Sequence, residues 1–146
     1  MLAIYSPFVQ EKAMEAYLSF AGNCAEAFAF WGQALGGQTT FSMSFGDSPM
    51  GGQTPAEYKD KVMHATFEAR GDKIMGSDMP PGMVHKGYEG FSLSVQATDV
   101  EEGRRLFDAL AEGGQVTMHY GPQFWAKGFG MLQDRFGVSW MVNCDS

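Results

Sequence analysis

Cysteine is scarce in this sequence, which has only Cys24 and Cys144 among its 146 residues. Two cysteines are too few for a disulfide framework of the secreted type, and no Cys-x-x-Cys spacing indicates a zinc site. We therefore expect both thiols to be reduced. Cys24 falls in the first turn of a predicted helix, where it is either a reactive thiolate favoured by the helix dipole or a small buried apolar side chain.

Positive charge and long apolar runs are also lacking. The 17 acidic residues outnumber the 10 basic ones, and the net charge of -7 repels both a phosphate backbone and an anionic membrane surface. No apolar run approaches the roughly 18 residues of a membrane-crossing helix, and the first residues lack a basic segment followed by an apolar one. We therefore expect no nucleic-acid partner, no membrane partner and a cytoplasmic location.

Methionine and phenylalanine are in excess, with 11 and 12 residues. Flexible thioethers and aromatic rings suit an adaptable apolar pocket, and they equally suit the core of a globular domain. Hydrophobic residues make up 45% of the chain and charged residues 18%, which is typical of a folded domain rather than a disordered chain. The length fits one compact domain, or one domain made of two small halves.

An internal repeat organises the chain. The segment that starts at Ser19, SFAGNCAEAFAFWGQALGGQTTF, aligns with SVQATDVEEGRRLFDALAEGGQVTM from Ser94 when two extra residues are allowed before the second Gly-Gly pair. Each copy predicts a short strand, an N-cap, an amphipathic helix and a Gly-Gly pair that ends the helix. Asn23 is the predicted N-cap of the first helix, and either Thr98 or Asp99 caps the second.

Between the helices, apolar residues recur at every second position, which is typical of half-buried strands. The order is β-α-β-β-β, twice. It predicts an α+β fold in which two tandem modules form a curved mixed sheet around a cavity, with the helices on the outer face. Gly- and Pro-rich stretches at 46–55, 79–83 and 121–122 are predicted loops at the cavity mouth. Apart from the short strand that opens the first copy, the predicted strands span 41–45, 62–69, 72–77, 91–97, 115–120, 129–134 and 138–144.

The repeat also predicts the domain organisation. The first module spans 14–78 and the second spans 89–145, and together they form one domain over 14–145. Residues 1–13 have no counterpart in the second half. They are either an N-terminal extension in front of a natural start at Met14 or an extra segment docked on the domain.

Five stretches carry a family resemblance, and they are YLSFAGNCAEAFAFW (17–31), FGDSPM (45–50), MHATFEA (63–69), GFSLSV (90–95) and FWAKGFGMLQDRFGVSWMVNC (124–144). They are spread in this order along the predicted domain, from its first strand to its last. With the duplicated pattern, they resemble the PhnB-like branch of the vicinal oxygen chelate superfamily, which includes glyoxalases, bleomycin-resistance proteins and dioxygenases. The resemblance implies a glyoxalase-like domain, and a homodimer in which modules pair across a two-fold axis.

The resemblance also implies where a metal ion would bind. In enzymes of the superfamily, His and Glu side chains from the first and last strand of each module hold a divalent cation. By the repeat register these positions are Glu15, Met75, Gly90 and Met141. Such an ion needs about three O or N donors, and only Glu15 offers one. We therefore expect no metal site and no cofactor.

His64 is the first candidate for a catalytic group, because it is the only imidazole predicted on the cavity face. It is either a general base or a structural histidine hydrogen-bonded to a neighbouring strand. Glu68 lies further along the same strand, roughly 13 Å away at about 3.3 Å per residue, so the two side chains cannot share one ion. His85 and His119 are expected in a loop and near a strand end, in solvated or structural roles.

Strand alternation assigns further side chains to the cavity, given that the helices cover the apolar face. Thioethers, hydroxyls, one amide and one phenol suit a small ligand with an apolar body and a few hydrogen-bonding groups. The serines are otherwise simply solvent-facing. Trp125, next to Phe124, either closes over a ligand or forms the dimer contact. The predicted pocket residues are Tyr17, His64, Met75, Ser77, Ser92, Trp125, Met141 and Asn143.

The sequence leaves three functions open. The missing donors favour a metal-free protein that binds a small organic molecule. The alternative is a metal-dependent lyase or dioxygenase of the same superfamily that uses Glu15, His64 and water. PhnB-like sequences also carry the label of a demethylubiquinone methyltransferase, although no Gly-rich strand-to-helix turn for S-adenosylmethionine is present. Both an enzyme and a binding protein are compatible with these residues.

Overall fold

The computed structural model describes residues 14–145, and in it the first module is a four-stranded sheet covered by one helix. Phe28, Trp31 and Leu35 recur at helical spacing and form part of the buried side of this helix, which packs on the sheet. The loop between the second and third strands contains two short 3-10 turns. The elements are β1 (Ala16–Phe20), α1 (Cys24–Leu35), β2 (Gln38–Ser44), β3 (Val62–Ala69) and β4 (Asp72–Asp78).

The second module has the same order of elements. Its helix buries Leu106, Phe107 and Leu110 against the sheet. In each module the first strand pairs in parallel with the last, and the other pairs are antiparallel. The α+β fold of two tandem modules is therefore confirmed, whereas the extension predicted for 1–13 lies outside the described residues. The elements are β5 (Leu93–Gln96), α2 (Val100–Ala111), β6 (Gln115–Gln123), β7 (Ala126–Gln133) and β8 (Ser139–Cys144).

The strands form two open sheets, in the orders β1-β4-β3-β2 and β5-β8-β7-β6, rather than the one continuous sheet that the sequence predicted. The helix-covered faces of both sheets meet in one core. There Trp31 of α1 packs edge-on against Trp140 of β8, with 5.2 Å between ring centroids. The helices therefore lie between the sheets. The other face of each sheet is turned away from this core, so the two open faces of one chain do not meet.

A buried carboxylate joins the two modules. Asp134 lies just after β7 and is only 3% exposed. Its Oδ2 accepts hydrogen bonds from the indole Nε1 of Trp31 and of Trp140, each at 2.8 Å. Its Oδ1 accepts from the backbone N–H groups of Phe136 and Val138 at 2.9 and 3.0 Å. These donors compensate the desolvation of the carboxylate, and the two indoles hold α1 against β8.

The two helices begin in different ways. The Asp99 side chain accepts from the backbone N–H of Glu102 at 2.8 Å, which confirms Asp99 as the second N-cap. Asn23 occupies the predicted N-cap position of α1, but its side chain does not make the expected capping hydrogen bond. Asp78, at the end of β4, accepts instead from the backbone N–H of Cys24 at 2.9 Å. A strand residue that is distant in sequence thus accepts the hydrogen bond that was expected for the Asn23 side chain.

Cys24 is a completely buried thiol at the start of α1. Burial, followed by the negative charge of Asp78, raises its pKa to about 12. A thiol with a raised pKa is a poor nucleophile at neutral pH because the thiolate is the reactive form. The reactive-thiolate interpretation is therefore wrong, and the interpretation as a buried apolar side chain is confirmed.

Both helices end just before a Gly-Gly pair, as the sequence predicted. Gly36 ends α1 with a φ of 78°, and Gly113, one residue beyond the end of the last turn of α2 at Glu112, also has a φ of 78°. This left-handed backbone favours glycine. Both helices have 12 residues. Within the described part of the chain, no helix is long and apolar enough to cross a membrane.

Candidate functional site

The outward side of the β1–β4 sheet, which we name the first open face, brings together four of the predicted pocket residues. Parallel pairing puts Tyr17 of β1 beside Met75 of β4, and antiparallel pairing puts Met75 beside Thr66 of β3. Ser77 follows Met75 by two positions in β4, and His64 precedes Thr66 by two positions in β3. Because side chains alternate along a strand, all of these residues lie on the same face.

Tyr17 and His64 form a hydrogen-bonded pair on this face. Tyr17 Oη lies 2.9 Å from His64 Nδ1, and the ring centroids are 5.5 Å apart. Phe41 also contacts the imidazole, with 6.0 Å between centroids. The Tyr17 and Phe41 side chains are 50% and 48% exposed. Large rings held at a surface in this way are suited to contact a ligand.

The hydrogen bond to Tyr17 leaves one nitrogen of His64 available. Within residues 14–145, His64 Nε2 has no hydrogen-bond partner. If the tyrosine O–H donates to Nδ1, then Nε2 carries the proton and is a donor; in the other tautomer Nε2 is an acceptor. In both cases Tyr17 orients the ring, and Nε2 offers a ligand one directional hydrogen bond.

The sequence did not identify two members of this face, Phe41 and Met43. Antiparallel pairing puts Met43 beside His64 and Phe41 beside Thr66. Alternation in 41–45 places them on a strand. Their position opposite these partners depends on irregular pairing between Thr39 and Phe41. Such an irregularity shifts the register by one residue and changes which side chains face outward.

The outward side of the β5–β8 sheet is the second open face, and it holds Met141 and Asn143. The Asn143 Nδ2 group donates to Gln96 Oε1 and to Asp145 Oδ1, each at 2.8 Å. Both amide protons of Asn143 are therefore already used within the chain. Ser92 immediately precedes β5 and is half-buried.

Trp125 lies at the tip of the hairpin that joins β6 to β7. The neighbouring Phe124 is 98% exposed and Trp125 is 47% exposed. The two rings pack edge-on with 4.8 Å between centroids, and Trp125 also contacts Phe129 of β7 at 5.4 Å. An aromatic pair presented to solvent at a hairpin tip is typical of a contact surface.

The eight predicted pocket residues therefore form two groups. Alternation placed each of them on one side of a strand, but the packing of the modules decides which sides meet. Because the modules join through their helix-covered faces, the two groups do not form one pocket within a chain. Tyr17, His64, Met75 and Ser77 belong to the first module, and Ser92, Trp125, Met141 and Asn143 belong to the second.

The residues at the expected metal positions do not fit the superfamily's divalent ion. The observed register pairs Met75 with Tyr17 and Met141 with Ser94. Glu15 precedes β1, and this differs from the predicted register. A phenol, a hydroxyl and two thioethers provide none of the carboxylate and imidazole donors that a hard divalent ion requires. Over residues 14–145, no group of three or more His, Cys, Asp or Glu residues could hold a metal ion.

The remaining predicted metal positions lead to the same conclusion. Gly90, which has no side chain, precedes β5. The Glu68 carboxylate accepts a hydrogen bond from Thr40 Oγ1 at 2.9 Å, whereas His64 is bonded to Tyr17. His64 and Glu68, both on β3, thus have separate hydrogen-bond partners.

The other histidines lie away from this pair. His85 accepts a hydrogen bond from the Gly87 backbone at Nδ1, at 3.0 Å, and its Nε2 lies 2.6 Å from the Ser19 carbonyl oxygen. Tyr88 Oη donates to the same oxygen at 2.6 Å. His85 therefore has a structural role, in which the loop between the modules is attached to β1. His119 is exposed in β6.

A cleft of about 250 Å³ between the modules was not expected from the sequence. Its lining includes Phe67 and Trp140 from the helix-covered faces of the two sheets. Arg70 crosses between the modules at this cleft. Its Nη2 donates to the Gln96 carbonyl oxygen at 2.8 Å and to Glu102 Oε1 at 3.2 Å. The cleft is thus bridged by an ion pair between modules, and it meets the second open face only at the edge strand β5, where Ser94 is part of its lining.

The two-module fold defines the class of protein. It is shared with a glyoxalase-related enzyme from Fulvimarina pelagi, at 13% identity and a TM-score of 0.65, over 92% of this chain and 88% of that chain. At this identity the likeness shows the fold alone. The chain therefore has the glyoxalase-type fold of two tandem modules.

Within this class the chain belongs to the PhnB-like family described as 3-demethylubiquinone-9 3-methyltransferase, which matches residues 12–143. It is 43% identical to Protein YjdN of Escherichia coli (strain K12) over 136 residues, which are 87% of this chain and 91% of that protein.

Two solved structures have the same architecture at higher similarity. Protein PA1353 from Pseudomonas aeruginosa has 46% identity and a TM-score of 0.80, over 91% of this chain and 98% of that chain. A putative 3-demethylubiquinone-9 3-methyltransferase, PhnB protein, from Bacillus cereus has 26% identity and a TM-score of 0.76, over 91% and 99% of the two chains. The resemblance to PhnB-like proteins is confirmed.

Proposed function

We propose that this chain binds a small organic molecule at the first open face, without the usual divalent metal of the superfamily. The observation that carries the proposal is the Tyr17–His64 pair, with 2.9 Å between Oη and Nδ1, beside the half-exposed ring of Phe41. The site offers one directional hydrogen bond from His64 Nε2 and apolar contact from the rings. It suits a ligand with a flat apolar body and one hydrogen-bonding group.

A second copy of the chain completes this site. The first open face is one wall of a cavity, and the second open face of the same chain is turned away from it. The second module of a partner copy carries the matching sheet, so a homodimer encloses two equivalent cavities across a two-fold axis. The exposed hairpin pair, Phe124 and Trp125, supplies apolar contact area for this arrangement.

Two other functions have less support. A metal-dependent lyase or dioxygenase needs three hard donors in one place, and Glu15 and His64 are the best that the expected region offers. The methyltransferase description of the family implies S-adenosylmethionine as the methyl donor. The turn between β1 and α1 carries one glycine, Gly22, whereas nucleotide cofactors are bound at Gly-rich strand-to-helix turns. Neither activity is carried over to this chain.

We also propose that the protein acts in the cytoplasm. Cys24 and Cys144 are buried within the core, which suits thiols that remain reduced. The net charge of -7 disfavours nucleic acid and anionic membrane surfaces as partners.

The direct test uses ¹⁵N-histidine labelling of the full chain and a library of small aromatic fragments that each carry one hydroxyl, carboxyl or carbonyl group. We expect binders to shift the Nε2 resonance of His64 more than the resonances of His85 and His119. His64→Gln should weaken these binders by at least about tenfold. His119→Gln is the matched control, because His119 is exposed and lies outside the first open face, and it should bind as the parent does.

Two results would overturn the proposal. One is equal binding of the fragments by the parent and the His64→Gln variant. The other is a stoichiometric divalent metal in elemental analysis of the purified protein, with fragment binding that depends on that metal. Native mass spectrometry of the same sample adds the copy number and the mass of any co-purified ligand.

A further inference from the structure

Three methionines lie side by side on the second open face. Met118 of β6 pairs with Met131 of β7, and Met131 pairs with Met141 of β8. We name these three residues the methionine row. Ser94 of β5 pairs with Met141 and continues the row to the edge of the sheet. The four strands thus contribute three thioethers and one hydroxyl at the same level.

The burial pattern agrees that the row faces outward. The strand neighbours Leu132, Trp140 and Val142 are buried against the helices. Met131 and Met141 are only partly buried, and Met118 is 38% exposed. A register irregularity on each side of Met118 keeps it level with Met131, although β6 as a whole does not alternate regularly.

The row allows the three sulfur atoms to converge. Residues directly opposite each other on neighbouring antiparallel strands have Cβ atoms about 4.5–5.5 Å apart. The methionine sulfur lies two bonds beyond Cβ on an unbranched, flexible side chain. Sulfur atoms from the outer residues, Met118 and Met141, can therefore reach over the central strand and meet that of Met131.

The donor chemistry selects one class of ion. Thioether sulfur is a soft, uncharged ligand that favours Cu(I) over Mg²⁺, Mn²⁺ or other ions that prefer carboxylate oxygen. The row itself contains no carboxylate and no imidazole. We propose that the methionine row is a binding site for a soft monovalent cation, Cu(I) or its analogue Ag(I). The ion binds in the monovalent state, and no electron transfer is involved.

This inference does not depend on the proposed function. All three thioethers come from one sheet of the second module, whereas the organic-ligand anchor, Tyr17 with His64, lies in the first. The two sites become opposite walls of one cavity only in the proposed homodimer, and the row needs no second copy. The thioether of Met141 is a poor ligand for a hard divalent ion at the expected metal position, and for the same reason it is a good ligand for a soft ion. The competing use of the row is as an adaptable apolar wall for an organic ligand, and the experiment separates these two uses.

The test follows methionine methyl groups labelled with ¹³C while the full chain is titrated with Ag(I) in chloride-free buffer. We expect the signals of Met118, Met131 and Met141 to shift together and to saturate at one equivalent. The exposed methionines Met50 and Met83 should not move at this ratio. The methyl readout also separates the row from the buried thiols, which would bind Ag(I) without shifting these three signals.

Met131→Leu removes the central sulfur and nearly preserves the side-chain volume. It should weaken Ag(I) binding by at least about tenfold, and so should Met141→Leu. Met75→Leu is the matched control because it removes one thioether from the first open face, and it should bind Ag(I) as the parent does. Thermal unfolding of each variant verifies that the sheet is intact, and the second row variant keeps the test valid if one of them fails to fold.

Three outcomes would overturn the proposal. These are unsaturable binding that shifts all methionine signals equally, equal affinity in the parent and both row variants, or a shift centred on the His64 signals. Titration with Cu(I), kept reduced by ascorbate without oxygen, should reproduce the Ag(I) pattern. Failure of aromatic fragments to bind at His64 would contradict the proposed function and leave this result unchanged.

Discussion

The two modules have the same order of strands, but their open faces carry different chemistry. The first presents a hydrogen-bonded phenol and imidazole, Tyr17 with His64, beside an exposed ring. The second presents the methionine row and an amide, Asn143, whose protons are already used. A repeated scaffold therefore fixes the positions of the outward side chains. The chemistry at those positions can vary because these side chains contribute little to the core.

The shared core between the modules determines how the two faces are oriented. Asp134 holds Trp31 and Trp140 through two hydrogen bonds of 2.8 Å, so one carboxylate positions both sheets. A change at this joint should therefore disturb both faces, whereas a change on one open face should leave the other intact.

Asp134→Ala should have the largest effect. It leaves two buried indole N–H groups and two backbone N–H groups without their acceptor, and we expect a loss of about 3–5 kcal/mol in the free energy of unfolding. Urea denaturation measures this. Asp108→Ala is the control, since that carboxylate is exposed and forms only a surface ion pair with Arg104, and should cost less than about 0.5 kcal/mol. A loss below about 1 kcal/mol in Asp134→Ala would mean that apolar packing alone joins the modules.

Replacing Phe124 and Trp125 together by serine should dissociate the proposed homodimer, in which the first open face of one copy meets the second open face of the other. These rings are exposed at the hairpin tip, so the fold should be retained, while the dissociation constant of the proposed dimer should rise at least about a hundredfold. Sedimentation velocity over a range of concentrations measures the change. Val84→Ser alters another exposed apolar side chain and should leave the dimer intact. A dimer that persists in the double variant would place the interface elsewhere.

Tyr17→Phe should affect the first open face only. It removes the hydroxyl that orients His64, and we expect aromatic fragments to bind about five- to tenfold more weakly because a free imidazole must be ordered on binding. Ag(I) affinity at the methionine row should be unchanged. Tyr58→Phe is the matched control, since that hydroxyl donates to the Met79 carbonyl oxygen in the loop region. Equal fragment binding by parent and Tyr17→Phe would show that Tyr17 does not position the imidazole.

Glu102→Gln should have the smallest effect, and it depends on pH. Hydrogen bonds from the Thr98 backbone and hydroxyl, and from Arg70, lower the pKa of Glu102 to about 2. Because this pKa lies below that of the unfolded chain, near 4.5, the carboxylate stabilises the fold above pH 4.5, and this contribution is lost as the pH falls towards 2.

The glutamine variant should therefore lose less stability than the parent between pH 4.5 and 2. At pH 7 it should cost under about 1 kcal/mol, because solvent screens this partly exposed pair. Thermal unfolding across this pH range measures the difference. Glu101→Gln changes an exposed neighbour in the same helical turn, and its acid profile should follow that of the parent. An unchanged profile in Glu102→Gln would exclude the bridge to Arg70 as a source of acid sensitivity.

Local pattern predicted much of the fold. The strand over 62–69 has the same bounds in the structure, and the helix end at Gly36 is as expected. Alternation also placed Tyr17, Met75 and His64 on one face. Prediction and structure agree at these positions because side-chain alternation and helix termination depend on residues close in sequence.

The order of the elements, the repeat and the apolar side of each strand follow from local sequence pattern. The division of the strands into two sheets, the capping of α1 by Asp78 and the alignment of the methionine row depend on tertiary packing. Periodicity shows which side of an element is apolar, but not which other element it meets. That choice depends on packing between distant residues, of which the contact of Trp31 and Trp140 with Asp134 is the clearest case.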